Sequence, residues 1–203
     1  MKRAPAILAL LLAGGMLGRA GATELLVHTP PDGKLPGWSM RAPVPPGWTG
    51  DCCNYARGIG VDAVIYHGEW TGDPQRVIVL DSWAAKLPTL AAEIAADTKA
   101  YVARDPHAST QPWPLPAMPA RCQGVLHHGS DHVDDVVVFC DPGKAAGVRY
   151  SWSMAVQAGD PARASLLASF GRVVAGARFA IVAGRPPGPP TRAAATRAAT
   201  PSH

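Results

Sequence analysis

Cys122 and Cys140 lie at equal distances in sequence from Asp131, within the stretch RCQGVLHHGSDHVDDVVVFCDP that runs from Arg121 to Pro142. Gly129-Ser130-Asp131 carries turn chemistry, and strand-forming residues flank it on both sides. A hairpin symmetric about Asp131 pairs Leu126 with Val136, Gly124 with Val138 and Cys122 with Cys140, which suits a cross-strand disulfide. A disulfide-stapled hairpin is therefore the local geometry around which the rest of the chain has to be arranged.

A disulfide needs an oxidising compartment, and the N-terminus is consistent with one. Met1-Lys2-Arg3, an apolar run and then Ala20-Gly21-Ala22 make up the three parts of a secretory signal peptide. Residues 1–22 are read as that signal, with a mature start near Thr23. The apolar run falls short of the roughly 20 residues that span a bilayer, and no second run is long enough, so no stable membrane span is expected. The product is expected to be soluble and periplasmic or secreted, with its four cysteines in disulfides. Cys122–Cys140 is the preferred pair, which leaves Cys52 and Cys53 either bonded to each other or free. The rival is a pair of bridges tying the Asp51–Asn54 loop to both strands of the hairpin.

Charge narrows the partners. Lys2, Arg3, Arg19, Arg185, Arg192 and Arg197 take six of the 19 basic residues out of segment 23–184, whereas all 15 acidic residues lie inside it. The body is thus slightly negative, about −2, and offers no basic face to phosphate backbones; nucleic-acid binding is not expected.

Along the chain, Leu25-Leu26-Val27 and Trp38-Ser39-Met40 are short strands separated by the Pro30-Pro31-Asp32-Gly33 turn. Residues 61–70 and 76–83 predict a second hairpin, turning at Gly72-Asp73-Pro74-Gln75, whose second strand has the continuous apolar run of a central position. At residues 88–104 the period changes to that of an amphipathic helix, begun by a proline and stopped at Asp105-Pro106. Four prolines make residues 107–120 an irregular surface loop. In GVRYSWSMAVQ, Val148, Tyr150, Trp152, Met154 and Val156 alternate onto one face, which should lie against a helix. Asp160-Pro161 opens a second helix, with Leu166, Leu167, Phe170, Val173 and Val174 as its stripe and Gly176 at its end. Phe179 to Val182 adds a last strand. Segment 185–203 is Pro, Ala and Thr-rich and is expected to be disordered. Segment 23–184 is then a single α+β domain.

This order of elements resembles the Mog1/PsbP-like α/β sandwich, an antiparallel β-sheet flanked by a long middle helix and a C-terminal helix. The similarity lies in the Val77 to Leu80 strand leading into the 88–104 helix, and in the Tyr150 to Val156 strand leading into the helix with Ser169-Phe170. The resemblance implies an adaptor or accessory subunit without catalysis; fold alone does not fix function.

Three constellations bear chemistry. His127, His128, His132 and Asp135, with Asp131 and Asp134, crowd the hairpin tip and are candidate ligands for Zn or Cu; the plainer reading is a solvated tip. Cys52 and Cys53 are a candidate redox pair, or a nucleophile with His67 as base, giving a thiol redox or hydrolytic enzyme as the alternative class. The structural role is preferred. Trp38 and Trp48, in a Pro-rich region, and Trp113, in a Pro-rich loop, are either aromatic anchors for a partner or lids on the core. No cofactor motif is present. The sequence thus points to an exported, non-catalytic binding or accessory module, partnered by a protein or a small envelope ligand.

Overall fold

The hairpin forms in the register its symmetry predicts. In the computed structural model, which describes residues 23–32, 34–71, 76–115 and 121–182, strand β7 (Arg121–His128) runs antiparallel to β8 (Val133–Asp141). Cys122 faces Cys140, Gly124 faces Val138 and Leu126 faces Val136. The two cysteines are bonded, with their Cα atoms 4.1 Å apart.

Around this hairpin the chain supplies β1 (Glu24–Thr29), β2 (Gly37–Pro43), β3 (Trp48–Asp51), α1 (Tyr55–Ile59), β4 (Ala63–His67), β5 (Val77–Ala84), α2 (Leu90–Arg104) and β6 (Ser109–Trp113) before it. After it come β9 (Val148–Gln157), α3 (Arg163–Gly176) and β10 (Arg178–Val182). Among the described residues the strands form two antiparallel sheets, one of seven in the order β3-β4-β5-β9-β8-β7-β6 and one of three in the order β1-β2-β10. The fold is the α+β arrangement expected, an antiparallel sheet flanked by helices. The second, smaller sheet was not anticipated, because the partners of β2 lie at opposite ends of the chain.

Period-two alternation divides the large sheet into two faces. On one, Val136 and Val138 of β8 join Tyr150, Trp152, Met154 and Val156 of β9, and this layer packs on Phe170, Val173 and Val174 of α3 and on Trp38 and Met40 of the small sheet. The apolar face of β9 therefore meets a helix as expected. On the other, Val137 and Phe139 of β8 pack with Val125, Trp83, and Leu90 and Ile94 of α2. Strand β5 is interior, next to the central β9, and covered on both faces: Ile78 and Leu80 enter the first layer, Val77 and Val79 a cluster with Ala56 and Val64.

Several boundaries differ from the sequence expectation. Segment 107–120 is not wholly irregular, since β6 pairs with β7 through Ser109↔His128 to Trp113↔Gly124. Pro112 is tolerated because β6 is an edge strand, where a missing N–H need not break the ladder. Gly124 makes the pairing possible: a Cβ there would lie 2.6 Å from the Trp113 carbonyl oxygen. Helix α2 is capped by Thr89, whose Oγ1 accepts from the Ala92 N–H at 3.1 Å, so Pro88 precedes the cap. Asp160 and Pro161 form a turn ahead of α3; the Asp160 carboxylate accepts from the Ala162 N–H at 2.7 Å and its carbonyl from Arg163 at 2.9 Å. The short helix α1 was not expected. Asp51 nucleates it by accepting from the N–H groups of Asn54 and Ala56.

Residues 1–22, read above as a signal peptide, residues 185–203, read as a disordered tail, residues 72–75, read as a turn, and Gly33 lie outside the described residues. No helix among the described residues is long and apolar enough to cross a membrane.

Candidate functional site

At the hairpin tip the alternation that sets the register also separates the histidines. His127 pairs with Asp135 and His128 with Asp134, so the two imidazoles leave opposite faces of the sheet. His127 is 1% exposed. Its ring stacks on Tyr101 of α2 at 4.3 Å, its Nδ1 is 2.9 Å from Thr110 Oγ1, and its Nε2 stands 3.6 Å from Asp97 Oδ2. Beside it, burial holds the Asp135 carboxyl above its ordinary range, partly offset by a hydrogen bond from the Tyr101 hydroxyl. Burial and the neighbouring Asp135 in turn push the Tyr101 hydroxyl well up.

His128 belongs to the other face. Gln111 donates to its Nε2 at 3.0 Å, so Nδ1 carries the proton and donates to Asp134 Oδ1 at 2.8 Å. Asp134 Oδ2 also accepts from Arg163 of α3. His132 is exposed in the turn with φ +64°. The candidate metal set His127, His128, His132 and Asp135 is thus spread over both faces and the turn, and no three His, Cys, Asp or Glu among the described residues gather to hold a metal ion. His127 and Asp135 instead meet Tyr101 of α2, and His128 meets Asp134, which accepts from Arg163 of α3.

Cys52 and Cys53 are bonded to each other, which leaves no free thiol among the described cysteines. His67 lies opposite Trp48, four residues before Cys52 and about 13 Å along an extended strand. Its ring packs against Trp48 at 5.5 Å, so it is not set as a base for either sulfur.

The tryptophans are mostly core. Trp38 is 4% exposed and stacks on Phe179, which corrects its candidacy as a surface anchor. Trp48 and Trp113 are half-buried and pack against the same core, Trp113 edge-on to Phe170 at 5.4 Å.

What the sequence did not reveal is a cleft of about 650 Å³ on the α2 face, at the end of the large sheet beside the disulfide. Its walls come from the β5–α2 connection (Lys86, Leu87, Leu90), the start of β7 (Arg121, Gln123), the end of β8 (Asp141), the β8–β9 connection (Lys144) and the start of β9 (Arg149). Arg121 and Asp141 are the ladder pair next to Cys122 and Cys140, so the disulfide holds two of these walls in register. At the base, the Arg149 side chain is 5% exposed and held by internal contacts through Nη1 and Nε. Its Nη1 donates to the Leu87 carbonyl at 2.9 Å and to Glu93 Oε1 at 2.8 Å, and its Nε to Asp141 Oδ2 at 3.4 Å. The other Asp141 oxygen accepts from the Gly143 N–H at 2.8 Å. Lys86, Arg121 and Lys144 line the rim, exposed, with no ion-pair partner among the described residues. The only sequence signal for this site was an arginine on the non-apolar face of β9, and that signal does not say what it meets.

No protein-family model matches the chain, and no curated protein matches it. Among solved structures it is similar to the solution structure of cyanobacterial PsbP (CyanoP) from Synechocystis sp. PCC 6803, at 13% identity over 84% of this chain and 99% of that chain, with a TM-score of 0.47. This is the family that the order of elements resembles; the likeness concerns the path of the chain, and no site residue is carried across it.

Proposed function

We propose that this chain is an exported accessory module without catalytic activity, periplasmic or secreted, that binds a small envelope ligand in the cleft between the β5–α2 connection and the start of β7. The observation that carries the reading is the construction of the cleft. Its base is a buried arginine held by Leu87, Glu93 and Asp141, and two of its walls are pinned by a disulfide, which supports a concavity that is pre-formed rather than assembled on binding. Against the alternative class, the sulfurs that would serve as nucleophile or redox thiol are bonded to each other and His67 is turned to Trp48.

The test is a screen of envelope small molecules against ¹⁵N-labelled protein. Shifts confined to Lys86, Arg121, Gln123 and Lys144 are expected, with no chemical turnover of the ligand. Hits that map only elsewhere, or product formation, overturn the reading. N-terminal sequencing of the secreted chain is expected to begin near Thr23.

A further inference from the structure

The chemistry of the cleft narrows what enters it. We infer that the ligand is a small organic oxyanion, carrying carboxylate or phosphate groups; this rests on the cleft being the ligand site.

Two kinds of positive charge meet there. The buried Arg149 charge is answered by Glu93 and Asp141, and both oxygens of Asp141 are already in use. Those groups are architecture. The rim cations Lys86, Arg121 and Lys144 are not answered by any carboxylate among the described residues. Elsewhere on the body Arg41, Arg76 and Arg163 have acidic partners while Lys34, Arg57, Lys99, Arg104, Arg172 and Arg178 have none within ion-pair distance among the described residues, so what sets the three rim cations apart is that they line one concavity.

Overall basicity does not explain the gathering, because segment 23–184 holds more acidic than basic side chains. Three unanswered cations converge from two connections and the start of β7 onto one concavity. Cations lining a cleft with low-dielectric walls focus their field into it and raise the local concentration of anions. The residue types suit anion capture, since Arg121 offers a planar fork for two oxygens of one carboxylate or phosphate, and the lysines act as mobile point charges. The first residues of α2, Leu90 and Ala91, lie in the same wall, so the helix dipole adds charge of the same sign. Leu87, 37% exposed, and Leu90 supply an apolar strip for the carbon frame of the ligand. The three rim cations surround one concavity of about 650 Å³, a scale that suits a small ligand.

The experiment titrates the full exported chain, ¹⁵N-labelled with its arginine Nε–H signals observed, with succinate, glycerol phosphate, inorganic phosphate and the neutral isostere succinamide. Phosphatidylglycerol and phosphatidylcholine vesicles are run in parallel. The comparison protein is the triple variant Lys86→Ala, Arg121→Ala, Lys144→Ala, whose residues are exposed and unpaired, so the fold is expected to persist and is checked by the unchanged Arg149 Nε–H signal.

The expected result is that at least one anion shifts Arg121, that affinity falls about tenfold or more in the triple variant and declines with added salt, and that succinamide does not bind. Retention on phosphatidylglycerol but not phosphatidylcholine vesicles, lost in the variant, supports the inference with a lipid headgroup as the source; response to soluble anions alone supports it with a free metabolite. Succinamide binding in the cleft as tightly as succinate, or a triple variant of unchanged affinity, overturns the oxyanion inference and leaves the cleft reading standing. No shift in the cleft with any probe overturns both.

Discussion

Glu93 Oε1 lies 2.8 Å from Arg149 Nη1, so the middle helix is fastened by a charged clasp to the central strand of the seven-stranded sheet. Removing only one member of a buried pair strands the other. Arg149→Met is therefore expected to cost about 3 kcal/mol, read from the urea midpoint at constant m-value. Glu93→Gln keeps an acceptor for Arg149 and should cost less. Equal losses would show that the charge of Glu93, and not only its acceptor, holds the helix.

The Cys122–Cys140 bond closes a loop of 18 residues. Chain-entropy arguments assign such a loop about 3 kcal/mol. The double variant Cys122→Ala, Cys140→Ala should lose about that much in chemical unfolding. Cys52→Ala, Cys53→Ala closes no loop of consequence and should lose much less.

Phe170 of α3 is fully buried in the core cluster that the helix forms with the large sheet, with Trp113 against its ring. Phe170→Ala leaves a cavity in the core under α3. A loss of roughly 3–5 kcal/mol is expected, measured by thermal and chemical unfolding.

At Gly124 any side chain collides with the backbone of β6. Gly124→Ala is expected to push the edge strand away at a cost of about 1–3 kcal/mol. Hydrogen exchange should rise selectively in Ser109–Trp113, while β8 and β9 keep their protection.

Burial raises the Asp62 carboxyl above its ordinary value of 3.8, and one of its oxygens is buried without a hydrogen bond. The folded protein then holds this proton to higher pH than the unfolded chain does, so the group lowers stability as pH rises from the ordinary value through the raised one. Asp62→Asn should be indistinguishable from the parent at about pH 3 and more stable at about pH 7, the difference growing between them. A variant less stable than the parent at neutral pH would show that the carboxylate is held by contacts that outweigh its desolvation.

Local chemistry was legible. The register of β7 and β8, the apolar face of β9, the middle helix ending at Asp105 and the end of α3 at Gly176 all follow from turn residues, period and breakers a few positions apart. Where a tertiary partner decides, the sequence was misleading. The prolines of residues 107–120 argue against regular structure, yet Ser109–Trp113 becomes a strand because β7 offers an edge and Gly124 gives room. The histidines at the tip suggest a shared ligand until the pleat sends His127 to α2 and His128 toward Asp134 and Arg163.

What the sequence by itself determined is the stapled hairpin and the patterns of burial along individual strands and helices, because those depend on neighbours within a few residues. The tertiary structure alone decided the division into two sheets and the cleft. Leu87 and Arg149 are 62 positions apart, and only their meeting at one end of the sheet turns scattered basic residues into a lined concavity. Contacts at that separation are set by how whole elements pack, which no local pattern encodes.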